Sequence, residues 1–197
     1  GTQLAFTSYQ QPNAKICITE AVPDNSVRCL LDTAGSDSTP AWSPDGRQIA
    51  FWSFDGNNYA IYRTNTELAE TVWLTGDSWG SFQPVWSPDG TQIAFQTDRN
   101  INREIYIMDA DGSNLRNLTR HPAGDYTPVW SPDGSRLAFE GFVDLTLRLF
   151  TADGDGSDVL PFQPDDTADF RQPSFSADAT HMAYVRNADL YVYRFSD

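Results

Sequence analysis

At 197 residues the chain has room for one domain or two very small ones. Its 27 acidic and 13 basic residues leave a net charge of −14, which repels phosphate backbones and anionic lipid and so argues against a nucleic-acid or membrane-surface role. Six Trp, eight Tyr and twelve Phe supply a core, which excludes disorder, and no apolar run is long enough to insert into a membrane as a helix.

The chain opens Gly1-Thr2-Gln3, with no initiator Met and no signal-peptide pattern, and is expected to be a mature product or a piece of a longer protein. Three strand-length runs follow. The first is Leu4-Ala5-Phe6, the second Lys15-Ile16-Cys17-Ile18, and the third carries Cys29. Pro40-Ala-Trp-Ser-Pro-Asp-Gly46 then starts a unit that recurs at Pro84–Gly90 and Pro128–Gly134, with a weakened copy at Pro173–Ala179. These prolines lie 44, 44 and 45 residues apart. Each copy leads into a short apolar run: Ile49-Ala50-Phe51, Ile93-Ala94-Phe95, Leu137-Ala138-Phe139 and Met182-Ala183-Tyr184. An alternating run comes next, such as Glu104-Ile105-Tyr106-Ile107, and a short fourth run, such as Thr71–Leu74, closes the period.

Four strand-length runs per 44 residues, with no sustained helical period, predict an all-β propeller of four-stranded antiparallel blades. The whole chain reads as one domain with units at about 1–36, 37–80, 81–124, 125–169 and 170–197, the first and last incomplete. About four and a half repeats are visible. The chain is therefore either a five-bladed ring or part of a six-bladed one, and an unpaired edge would invite self-association. Ser-Pro-Asp-Gly fits a tight turn in which Pro sets φ and Gly takes the left-handed position. Ala179 replaces that Gly in the last unit and is expected to strain the turn. Trp42, Trp86, Trp130 and Phe175 are expected to lock adjacent blades.

The run Trp-Ser-Pro-Asp-Gly-x-x-Ile-Ala-Phe, with Ile-Tyr-Ile-Met-Asp-Ala-Asp-Gly-Ser-Asn and Leu-Thr after it, resembles the TolB-like (WD-like) β-propeller repeat over the whole chain. That resemblance implies a six-bladed propeller of bacterial envelope or secreted proteins, used for protein binding. The family also supplies the accessory domain of some serine peptidases.

Function is sought on the connections that differ between units. The turns after the first strands are nearly identical. The connections entering each first strand (residues 32–39, 76–83, 120–127 and 163–172) and those leaving the second (53–58, 98–103 and 141–146) are longer and diverge. Candidate binding residues on that face are Asp37, Asp77, Trp79, Phe82, Arg99, Asp125, Tyr126, Phe170 and Arg171. Its carboxylates favour a basic partner. No cofactor is expected, although calcium in the ring opening stays open as an alternative. The Asp109-x-Asp111-Gly112 and Asp153-x-Asp155-Gly156 runs mimic calcium loops but fall where a hairpin turn is required. Gly76-Asp-Ser78-Trp-Gly80 mimics a nucleophile elbow, but a strand rather than a helix follows it. The two cysteines, Cys17 and Cys29, fall opposite each other when their hairpin is paired about Pro23, so a cross-strand disulfide and an oxidising compartment are predicted. The reading is a non-catalytic module that binds a protein or peptide, secreted, periplasmic or on the cell surface. The alternatives are a substrate-gating propeller of a hydrolase and a structural subunit of an extracellular assembly.

Overall fold

A computed structural model describes residues 2–9, 13–21, 27–30, 35–66, 70–76, 78–120, 123–163 and 168–195. Among these the chain is all strand and turn, arranged as five antiparallel sheets. The first holds β1 (Gln3–Ser8), β2 (Lys15–Glu20) and β3 (Val27–Leu30). The second holds β4 (Ser36–Trp42), β5 (Gln48–Phe54), β6 (Tyr59–Asn65) and β7 (Thr71–Trp73). The third holds β8 (Ser81–Trp86), β9 (Gln92–Asn100), β10 (Asn102–Asp109) and β11 (Arg116–Asn117). The fourth holds β12 (Asp125–Trp130), β13 (Arg136–Val143), β14 (Thr146–Asp153) and β15 (Leu160–Pro161). The fifth holds β16 (Phe170–Phe175), β17 (His181–Arg186) and β18 (Asp189–Arg194).

Every sheet is a meander, and its strands pair in the order in which they are made. The leading strands β4, β8, β12 and β16 lie beside one another, so the sheets fan out from a common hub as propeller blades do. Each sheet gives one face to the sheet before it and the other to the sheet after it. Ala94, Ile105 and Ile107 of the third sheet, for instance, meet Trp130, Leu137 and Phe139 of the fourth. The same offsets bring Ala50 and Ile61 against Trp86, Ile93 and Phe95. At the two ends of the series these faces have no neighbour among the described residues. Leu4, at the offset of the buried Ile49, is 59% exposed, and Leu190, at the offset of the buried Ile61, is 74% exposed. Among the described residues no packing of comparable extent joins the fifth sheet to the first.

The Ser-Pro-Asp-Gly turn repeats in atomic detail. The Ser43 hydroxyl donates to Asp45 Oδ1 at 2.6 Å and accepts from the Gln48 N–H at 2.9 Å, while Asp45 Oδ1 accepts from the Arg47 N–H at 3.1 Å. Ser87 with Asp89, Ser131 with Asp133 and Ser176 with Asp178 do the same. The serine hydroxyl holds each of these carboxyls below the usual range, Asp178 at about 2. Gly46, Gly90 and Gly134 take φ of +70°, +73° and +73°, and Ala179 is forced to +57°.

Trp86 and Trp130 are buried between sheets, and the Trp86 indole donates to the Ala41 carbonyl of the preceding leading strand at 3.1 Å. Trp42 and Phe175 are only half-buried. Trp42 packs on a first sheet that has no leading strand among the described residues, so nothing stands where Ala41 stands for Trp86. Cys17 and Cys29 face each other in the β2–β3 register and are joined as a disulfide.

Candidate functional site

The site is built at the end of the fan where the leading strands begin. Each leading strand carries a register shift just before its proline, between Ser38 and Ala41, Phe82 and Val85, Tyr126 and Val129, and Arg171 and Ser174. The residue before the proline takes positive φ in all four: Thr39 49°, Gln83 48°, Thr127 54° and Gln172 53°. Proline biases its predecessor away from the right-handed helical region, and the bulge uses the left-handed one. Beyond the bulge the strand continues pairing for two or three more residues. This extension corrects the expected loop boundaries. Asp37, Phe82, Asp125, Tyr126, Phe170 and Arg171 lie in strands, not loops. Asp37, Asp125 and Phe170 are fully buried and display nothing. The connections leaving the second strands of the fourth and fifth sheets are tight two-residue turns, Asp144-Leu145 and Asn187-Ala188, with both φ positive. Arg99 and Arg103 therefore stand on β9 and β10, and Arg99 lies over the Tyr106 ring at 5.3 Å.

Of the remaining candidates, Trp79 is 48% exposed, and Arg171 is exposed and bonded to Asp169 at 2.8 Å. Asp77 lies outside the described residues. Phe170 packs with Phe162 and Tyr184 in the core between sheets four and five. Ser78 sits on an exposed bend that leads straight into β8. Inside their hairpin turns the Ser113 and Ser157 hydroxyls, and after them the N–H groups of the same two serines, lower the Asp111 and Asp155 carboxyls.

The buried carboxylates sit at one repeat offset with different partners. Asp37 is 3.7 Å from Lys15 Nζ, and that ammonium also donates to the Gly35 carbonyl at 3.0 Å. Asp125 has Glu104 where Asp37 has Lys15. Thr119 Oγ1 donates to Glu104 Oε2 at 2.6 Å and accepts the Ile105 N–H at 3.1 Å. Burial pushes the Asp125 carboxyl up to about 7, with the Glu104 charge adding to the shift and the Thr119 hydroxyl opposing it. Gly141, paired with Asp125, leaves the space: a Cβ there would lie 2.5 Å from Asp125 Oδ1.

Between the third and fourth sheets this end opens into a cavity of about 290 Å³, lined by the bulge residues Gln83 and Thr127 and by Gln96, Arg103, Tyr126 and Glu140, with Phe142 and Leu147 behind them. Gln96 Nε2 donates to Gln83 Oε1 at 2.7 Å. Glu140 accepts the Thr127 hydroxyl at 3.2 Å and, across the next interface, the Gln172 N–H at 2.6 Å. The Arg103 guanidinium lies over Phe82 at 4.8 Å and Tyr126 at 5.7 Å. Two of the predicted residues, Phe82 and Tyr126, thus meet here as supports for a cation. Gln96, Arg103 and Glu140 were not expected. A signal existed: Gln96 and Glu140 share the offset just after the repeated Phe, an inward position occupied by Trp52 and Val185 in other units.

The profile of the TolB beta propeller domain matches residues 1–194. A putative TolB from Agrobacterium tumefaciens is 24% identical and superposes with a TM-score of 0.75 over 82% of this chain and 61% of its own. TolB from Acinetobacter baumannii is 22% identical, with a TM-score of 0.76 over 97% of this chain and 49% of its own. A chain from the nidogen/laminin complex is 15% identical, with a TM-score of 0.76 over 98% of this chain and 74% of its own. At these identities the likeness is one of fold. This chain spans about three fifths and one half of the lengths of the two TolB structures. No curated protein matches its sequence significantly.

Proposed function

We propose that this chain, which belongs to the TolB beta propeller domain family, is a non-catalytic protein-binding module that works in an oxidising compartment such as the bacterial envelope. The observation that carries the reading is the contrast between the two ends of the fan. At one end four turns repeat the same serine–aspartate hydrogen bonds. At the other, a single offset on the leading strands carries Ser38, Phe82, Tyr126 and Arg171 in succession, with Trp79 exposed beside them. A rigid scaffold that varies at one end only is suited to recognition. The net charge of −14 steers a basic partner, and the Cys17–Cys29 bond supports the compartment.

Affinity capture from an envelope extract tests this. Trp79→Ala with Arg171→Ala is expected to lose the partner, and Arg47→Ala at the opposite end is expected to keep it. The reverse pattern would discard the reading.

The two open faces favour a second reading, in which a further blade covers Leu4 and Phe6 on one side and Leu190 and Val192 on the other. Leu190→Lys with Val192→Lys would then abolish any concentration-dependent association of the isolated chain in size-exclusion chromatography.

A further inference from the structure

Lining the cavity between the third and fourth sheets are two polar groups whose capacity the protein leaves unused. Gln96 is 4% exposed, and its Oε1 has no hydrogen-bond partner among the described residues. Exchanging the amide atoms does not cure this. If both Gln83 and Gln96 are turned over, the Gln83 amide donates to Gln96 Oε1 and the Gln96 NH₂ is the orphan instead. A buried amide with one end unmatched is costly unless something enters the cavity to meet it. The second group is Arg103. Its guanidinium rests on Phe82 and Tyr126, rings that meet its charge as cation–π partners and offer its N–H donors no hydrogen-bond acceptor. Among the described residues no carboxylate or carbonyl takes those donors.

The donors of Arg103 suit an anion, and their fork matches a planar carboxylate. Glu140 forms part of the wall, and the chain as a whole is strongly acidic, so a dianion such as phosphate is repelled where a monoanion is tolerated. With Oε1 as its unpaired end, Gln96 accepts from an N–H donor, such as an amide or ammonium, near that carboxylate. Phe142 and Leu147 complete the lining with apolar surface. A carboxylate, a nitrogen-bearing group on the adjacent carbon and an apolar side chain together describe one chemical class.

We propose that this cavity binds an apolar α-amino acid unit through its free carboxylate, with Arg103 holding the carboxylate, Gln96 the neighbouring nitrogen, and Phe142 with Leu147 the side chain. The unit is either a free amino acid or the C-terminus of a peptide. The site lies on the end of the fan assigned to recognition, but it stands without that assignment, because it needs only the cavity and its two unsatisfied groups.

Calorimetric titration of the full chain with N-acetyl-L-leucine, L-leucine and N-acetyl-L-leucinamide tests the proposal. Saturable binding of a carboxylate probe is expected, with the leucinamide weaker by about 10- to 100-fold, the range for hydrogen bonds to a charged group. Tighter binding of N-acetyl-L-leucine identifies a peptide terminus, and tighter binding of L-leucine identifies a free amino acid. Arg103→Gln is expected to lose binding by the same factor, and Arg103→Lys, which keeps the charge without the fork, to lose part of it. Gln96→Leu is expected to weaken binding by about 3- to 10-fold. Thermal melts establish that each variant is folded. The proposal is overturned if neither carboxylate saturates up to about 10 mM. It is equally overturned if the leucinamide or inorganic phosphate binds as well, or if a folded Arg103→Gln binds like the parent.

Discussion

The interface between the first and second sheets and that between the third and fourth use the same offsets, and their chemistry is opposite. In the former, Asp37 is buried beside Lys15, and Trp42 lies half-exposed on a core of Ile16, Ile18, Ile49 and Phe51. In the latter, Asp125 is buried beside Glu104, and Trp130 is sealed into a core of nine buried residues. The repeat thus specifies where a side chain stands, not what it does there. Matching repeat offsets carry an ion pair at one junction and two carboxyls at another. The junction with the larger core is the one that carries the electrostatically unfavourable pair.

Apolar packing gives the largest expected difference between the two. Trp130→Ala removes an indole from a closed core and is expected to cost about 3–5 kcal/mol, enough to threaten a marginal fold. Trp42→Ala, at the same offset on the open junction, is expected to cost about half as much, since part of the ring already meets solvent. Denaturant melts of the two variants check the ordering, and equal losses would mean that the partial exposure of Trp42 does not lower its contribution.

Charge separates the junctions next. Lys15→Met takes the ammonium away from the buried Asp37 carboxylate and is expected to destabilise by about 2–4 kcal/mol. Asp125→Asn is expected to do the opposite, stabilising by about 1–3 kcal/mol at pH 8, because it removes a charge the site resists. The folded Asp125 titrates at about 7 against 3.8 when unfolded. Between those values the native state binds more protons than the unfolded state, so stability falls as pH rises from about 4 to 7 and levels off above. The Asn variant should lose that slope, and an unchanged profile would remove Asp125 as its source. The turn aspartates act with the other sign: Asp178, lowered to about 2, contributes stability above its unfolded value that is lost as pH falls from about 4 towards 2.

These contrasts mark what could be read from the chain alone. Trp-Ser-Pro-Asp-Gly was legible because every residue in it has a local task. Ser43 and Asp45 close the turn on themselves, and the glycine supplies the positive φ. Cys17 and Cys29 were legible because a hairpin register is a matter of counting. The starts of the leading strands were not. A bulge at the residue before proline breaks the alternation, so Asp37, Asp125 and Phe170 read as loop residues although pairing resumes beyond it. The cavity was hidden for another reason. Arg103 comes from a third strand, Gln96 from the second strand of the same sheet and Glu140 from the second strand of the next, and only the stacking of sheets brings them together.

The smallest effect extends the comparison to the turns. In the second, third and fourth sheets glycine holds the left-handed corner, and in the fifth Ala179 holds it at φ +57°. A left-handed alanine costs roughly 1–2 kcal/mol, from which the extra freedom of an unfolded glycine takes back about half to one. Ala179→Gly is therefore expected to stabilise by about 0.5–1 kcal/mol. The reciprocal Gly90→Ala, at φ +73°, is expected to destabilise by a similar amount, since the nearest atom to its new Cβ, Pro44 Cδ at 3.6 Å, is in ordinary contact and adds no clash. Equal and opposite shifts in melting temperature would show that the four turns are energetically interchangeable. A neutral Ala179→Gly would instead mean that the methyl, on a residue 7% exposed, recovers by packing what the backbone loses.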